Sequence, residues 1–251
     1  YINITEPLSG NPISSNIKAI NDITAFDRTK LDSGGAISVA LTDSKINVND
    51  CSAMVEIEKG TDINSAGTVN IAASSNANIE TEANAKTYGG AGAAQGKSES
   101  TLDTTNTIDI NNNVKITSGE DISLFAGPLN QGEDKVDINI EAYTDLYNKT
   151  VFPIKTKPEA DADLTQTNTI NLGSGSEFKT VGNIRLSSEK GERNVYGYGE
   201  GKDLYRKILS EIGDFFSDLV DAGEDLSLEI KGGSSDDDSA CGVNVNGSLE
   251  V

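Results

Sequence analysis

A stretch of 21 residues recurs three times without a gap, and this restricts the fold more than any other feature of the chain. NTIDINNNVKITSGEDISLFA (Asn106–Ala126) lies over NTINLGSGSEFKTVGNIRLSS (Asn168–Ser188), and AMVEIEKGTDINSAGTVNIAA (Ala53–Ala73) matches in the same register. Each copy reads as short strand, turn, short strand, Gly, short strand. Asn106, Ile108 and Ile110 share one strand face, and Thr107 and Asp109 share the other, because strand side chains alternate. Asn168, Ile170 and Leu172 repeat that inward face. Val114, Ile116 and Phe178 carry the second strand. Gly67, Gly119 and Gly182 are read as equivalent corners, and Val69, Ile122 and Ile184 open the third strand. Such a unit cannot bury its apolar face alone and must stack on its neighbours. The spacing therefore predicts an all-β right-handed parallel β-helix, a β-solenoid of about four coils, with the outer ones incomplete. Inward Asn106 and Asn168 fall at one level, where stacked amides satisfy one another, beneath a ladder of Ile108 on Ile170 and Ile110 on Leu172.

The same grammar extends outward. Gly34-Gly35 followed by Ala36–Ala40 resembles a corner and third strand, and Leu226–Ile230 and Val243–Val251 alternate cleanly. The corner glycines are too far apart for plain coils, so each coil carries an insertion after its third strand. These are 74–105, with a Gly/Ala tip at Gly89–Ala94; 127–167; and 189–224. Insertions at one register project from one face, as hairpin arms pairing from coil to coil. The whole chain, 1–251, then forms a single solenoid segment. In the last insertion, Leu204, Ile208, Ile212, Phe215 and Leu219 follow helical spacing and predict a helix over Lys202–Val220. Its stripe either covers the solenoid flank or docks a partner.

Only 5% of the residues are aromatic and none is Trp, which suits a thin stack of Ile, Leu, Val and Ala better than a compact globule. The net charge of −20 argues against nucleic acid as a partner, against docking on anionic lipid, and for a self-repelling surface. No run is apolar enough to insert in a membrane. Cys51 and Cys241 are 190 positions apart, several coils in this scheme, and are not expected to pair. The chain opens directly on strand-like sequence at Tyr1-Ile2-Asn3, so it reads as a piece of a longer protein.

Histidine is absent, which removes Ser-His-Asp, Cys-His and His-metal chemistry. Carboxylate-pair sugar chemistry remains an alternative, since a β-helix can be a polysaccharide lyase or hydrolase. With no Trp platform and only four arginines, the expectation is a non-enzyme without cofactors and without catalytic residues. Asp236, Asp237 and Asp238 offer hard oxygen ligands of the kind calcium takes, in which case the chain is a calcium-dependent scaffold. The competing reading is a solvated acidic loop. Thr165, Thr167 and Thr169, with Thr105 and Thr107 a coil away, form two short outward rows. They could order water as ice-binding arrays do, or serve as ordinary strand residues.

The repeats, the Gly-rich tip YGGAGAAQGKSES (Tyr88–Ser100), the segment YGYGEGKDLYRKILSEIG (Tyr196–Gly213) and the close KGGSS…GVNVNGSLEV (Lys231–Val251) resemble the filamentous-haemagglutinin-type adhesins of bacteria, closest to the leukotoxin-like filamentous adhesins. The resemblance covers most of Ala53–Val251. It implies a right-handed parallel β-helix exported across the outer membrane, often by two-partner secretion. The implied work is extracellular or at the cell surface, in adhesion, biofilm or fibre assembly. Implied partners are other copies of the fibre or matrix components. It supplies no catalytic residues.

Overall fold

The computed structural model describes residues 2–4, 13–129, 136–203, 228–232, 234–245 and 248–250. The protein is all-β, its parallel strands curled into a half-barrel, with no helix among the described residues. One sheet stacks five short strands in the order β1 (Ile2–Ile4), β3 (Asp62–Ser65), β5 (Lys115–Ser118), β8 (Glu177–Thr180) and β13 (Ser248–Glu250). The second holds β2 (Ser15–Ile57), β4 (Val69–Ile110), β6 (Ile122–Ala126), β7 (Ile138–Leu172), β9 (Ile184–Ser188), β10 (Arg193–Asp203), β11 (Leu228–Gly232) and β12 (Ser234–Val245). Every ladder among the described residues is parallel except that between β10 and β11.

The repeat is the register of these ladders. Ala53 pairs Asn106 and Asn106 pairs Asn168, while Ile63, Ile116 and Phe178 form one column and Val69, Ile122 and Ile184 another. A fourth level begins with Cys241 beside Asn168, Val243 beside Ile170 and Leu249 beside Phe178. The columns make one continuous core in which Ile108, Ile116, Ile122, Leu124 and Ile170 are fully buried and Phe178 is the largest buried side chain. The turn after the first strand is fixed by backbone chemistry. Gly60, Asn113 and Gly175, at one repeat position, all have positive φ (74°, 58° and 72°). Gly and Asn are the residues that take this left-handed conformation at least cost.

Three expectations change. Gly119 does not share a level with Gly67 and Gly182: a Cβ on it would lie 2.2 Å from the carbonyl oxygen of Ala66, whereas Gly182 sits against Glu120 and Asp121. The corner is one residue earlier in the middle copy, because the columns are set by the apolar side chains and the turn adjusts to them. The counterpart of the third strand in the first level is not Ala36–Ala40 but Ser15–Ala19, which pairs Val69–Ala73. Finally, Lys202 and Asp203 close strand β10 rather than opening a helix, held by parallel pairing to Tyr147 and Asn148. Leu204, Ile208, Ile212, Phe215 and Leu219 lie outside the described residues.

Residues 74–105 continue β4 without interruption. The strand doubles back, since Ser75 donates to Asn106 (2.8 Å) and Thr81 bonds Ser100 (2.9 Å). β2 folds the same way, with Thr29 donating to the Asp43 carbonyl and Ser44 to the Asp27 carbonyl, and so does β7, with Asn148 bonding Thr156. The reversals fall near Gly35, Gly89 and Phe152. Gly89, at φ 128°, passes so close to Gly35 that a Cβ would lie 1.8 Å from its carbonyl oxygen. Inside the arms the side chains shrink to Ala83, Ala85, Ala94, Ser98 and Thr144, all buried. Small residues let the two walls approach.

Candidate functional surface

The structure brings Asn106 and Asn168 together in the core. Both are fully buried. Asn106 Nδ2 donates to Asn168 Oδ1 at 2.7 Å, and Asn168 Nδ2 donates to the Glu189 carbonyl at 2.7 Å. This chain of amides, with Ser75 at its other end, spans two levels below the Ile108/Ile170 and Ile110/Leu172 pairs. Further amide ladders run up the outside, from Asn194 to Asn139 to Asn78 and from Asn244 to Asn171 to Asp109. The residue types follow from the stack, because an amide can donate to the level below and accept from the level above.

Asp236–Asp238 is not a loop. It is part of β12, paired to Asp163–Thr165. Alternation puts Asp237 on the strand face opposite Asp236. Asp237 Oδ1 accepts from Arg193 at 2.7 Å. Among the described residues no group of three or more His, Cys, Asp or Glu side chains is arranged to hold a metal ion. Thr105 and Thr107 do pair Thr167 and Thr169, but the next level offers Ala240 and Gly242 and the other Ser52 and Met54, so the Thr array is two levels deep. Cys51 and Cys241 are free thiols.

Two outward clusters escaped the sequence reading. The first is a band of charge on the arms. Glu99 bonds Lys45 (2.6 Å) and Lys97 (2.8 Å). The hydrogen bond from Lys45, then that from Lys97, holds its carboxyl below the usual glutamate range. A level away Asp163 goes the other way: burial, then the charges of Asp161, Asp236 and Glu99, raise it.

The second is a tyrosine shelf. Tyr143 and Tyr196 lie 5.7 Å apart between ring centroids, and Tyr196 and Tyr198 stack at 6.1 Å. Beside them Glu80, Glu82, Asn84, Asp145 and Glu200 line an open cavity of about 440 Å³. Burial, then the neighbouring Glu141 carboxylate, pushes the Tyr143 phenol up to about 12, so it stays a hydrogen-bond donor to Glu141. On the adjoining level Arg28 spans Phe26 (5.1 Å) and pairs Glu82, an internal example of a cation held by an aromatic face and a carboxylate. Only the stacking register makes this shelf, because its members come from three segments each more than fifty residues from the next; writing residues 80–84, 141–145 and 196–200 one above another would have exposed it.

No family model, no curated protein and no solved structure matches the chain.

Proposed function

We propose that the chain is a rod or stalk segment of a secreted or surface-attached bacterial fibre of the filamentous adhesin kind, a right-handed β-solenoid with lateral arms, working in adhesion, cell aggregation or matrix assembly. One observation carries it: the three sequence copies coincide, column on column, in parallel ladders. A unit that repeats along an axis gives length and a periodic flank at low cost in sequence, which is what a stalk requires. The outward columns of Asn, Thr, Tyr and carboxylate side chains supply repeated polar contacts for partners such as other fibre copies or matrix components, and the reading assigns no catalytic step. The test uses the purified chain on beads, presented to bacterial cells and extracellular matrix and incubated separately with acidic polysaccharides. Bead adherence without polysaccharide turnover is expected. Turnover abolished by one Asp or Glu substitution overturns the reading in favour of a carbohydrate-active β-helix.

A further inference from the structure

At the far ends of the arms the usual alternation is inverted. In the coil core the inward positions are apolar and the outward ones polar, as at Ile108 and Thr107. At the reversals Ser38, Thr42, Thr87, Asn148 and Thr150 are buried, whereas Ile37 (76% exposed), Leu41 (60%), Phe152 (55%) and Ile154 (63%) face out. Three of these polar groups form a bonded cluster: Thr87 and Thr150 donate to Asn148 Oδ1 (2.9 and 2.7 Å), and Asn148 Nδ2 donates to the Gly92 carbonyl (3.1 Å), whereas Ser38 Oγ has no partner among the described residues. The apolar side chains therefore do not serve the arm's own core. Ladder pairing of Ile37 with Ala91 and of Ala91 with Phe152 puts Ile37 and Phe152 in one row, and Leu41 and Ile154 extend this patch along their own strands.

The charge around that patch is also inverted. Residues 33–42, 86–97 and 147–157 contain no Asp or Glu and five lysines (Lys86, Lys97, Lys149, Lys155 and Lys157), in a chain with 40 acidic and 20 basic residues. Lys97 and Lys157 pair with Glu99 and Glu159 on the arm behind. Lys86, Lys149 and Lys155 make no ion pair among the described residues. Tyr88 and Tyr147, with ring centroids 6.2 Å apart, stand between the apolar tip and the acidic arm.

We propose that this arm tip is a peripheral docking surface for an anionic lipid bilayer. The apolar wedge enters the boundary between headgroups and acyl chains, the tyrosines sit at headgroup depth, and the lysines meet lipid phosphates and carboxylates. Insertion is shallow, because an open strand edge cannot enter hydrocarbon with its backbone groups unpaired. Two tips of like positive charge repel, which disfavours a second copy as occupant. The net charge of −20 conceals the site because it averages a basic tip with an acidic body. The inference stands on the tip alone and is independent of whether the chain is a stalk.

The test is sedimentation of the purified chain with phosphatidylcholine vesicles, with and without about a third phosphatidylserine, at low and high salt. Binding to the anionic vesicles, weakened by salt, is expected. Ile37→Asp with Phe152→Asp should abolish it while leaving the thermal melt unchanged, since both side chains are exposed. Lys149→Gln with Lys155→Gln should weaken it about tenfold or more and flatten its salt dependence. Lys59→Gln with Lys115→Gln, which alters the total charge equally, should leave it unchanged. Absence of vesicle binding, or binding indifferent to the tip variants, overturns the proposal. So does dimerisation without vesicles that Phe152→Asp abolishes, which would make the patch a self-association surface.

Discussion

At the scale of single residues, buried amides separate into satisfied and unsatisfied. Asn106 accepts from Ser75 and donates to Asn168, so removing it leaves two buried partners unpaired. Asn106→Ala should lower stability by about 1–3 kcal/mol in a denaturant titration. Gln166 is equally buried, yet neither its Nε2 nor its Oε1 finds a partner among the protein atoms. Gln166→Met keeps the length and removes the unpaired groups, so the same titration should show no loss or a gain of up to about 2 kcal/mol. A clear loss would show that the amide is satisfied after all. The contrast bears on what a sequence reveals. Asn106 and Asn168 were legible because they share a repeat position, and Gln166 was not, because nothing in its neighbourhood of alternating Thr marks one inward polar residue as lacking a partner.

At the scale of elements, β4, β7 and β12 bring carboxylates from distant parts of the chain within interaction range, and pH reads out the result. Asp163 is raised above the 3.8 of a free aspartate, first by burial and then by Asp161, Asp236 and Glu99. In the folded state it therefore takes up its proton before the unfolded chain does. Stability contributed by this group rises as pH falls through the raised value, and is complete below the unfolded one. Asp163→Asn should thus melt higher than the parent near neutral pH and lose that advantage by pH about 3. Glu99 has the opposite sign. Held low by Lys45 and Lys97, it contributes stability above the 4.5 of a free glutamate that is lost as pH falls through its folded value. In Glu99→Gln the melt should drop at neutral pH and converge with the parent in acid. A melting temperature for Asp163→Asn that stays above the parent at every pH would assign the effect to packing instead. The repeated strands themselves were readable, since Ile, Leu and Val fall at the same offsets in each copy. The continuity of β4 through the segment 74–105 was not, because Ala, Ser and Thr on the inner wall carry no apolar period.

At the scale of the whole molecule, each level touches only those beside it, so stability should depend on position along the stack. Ile108 lies between Val55 and Ile170 and is fully buried, whereas Ile17 belongs to β2, which pairs only β4 among the described residues and leaves Ile17 partly exposed. Ile108→Ala should cost about 2–5 kcal/mol and Ile17→Ala clearly less, although the deleted atoms are the same. Equal costs in denaturant melts would mean that the stack unfolds with no distinction between inner and outer levels. The columns were predictable from the 21-residue repeat. The inverted arm tip was not recognised, since an inside-out segment reads as an ordinary strand until it is known which wall its side chains face.

The five-deep column of short strands from β1 to β13 also has an optical consequence. Parallel strands stacked at about 4.8 Å give a natively folded protein the same axial repeat as an amyloid fibril. Oriented films of correctly folded material should diffract at that spacing, so the reflection that condemns most preparations as aggregated would here be a signature of the native state.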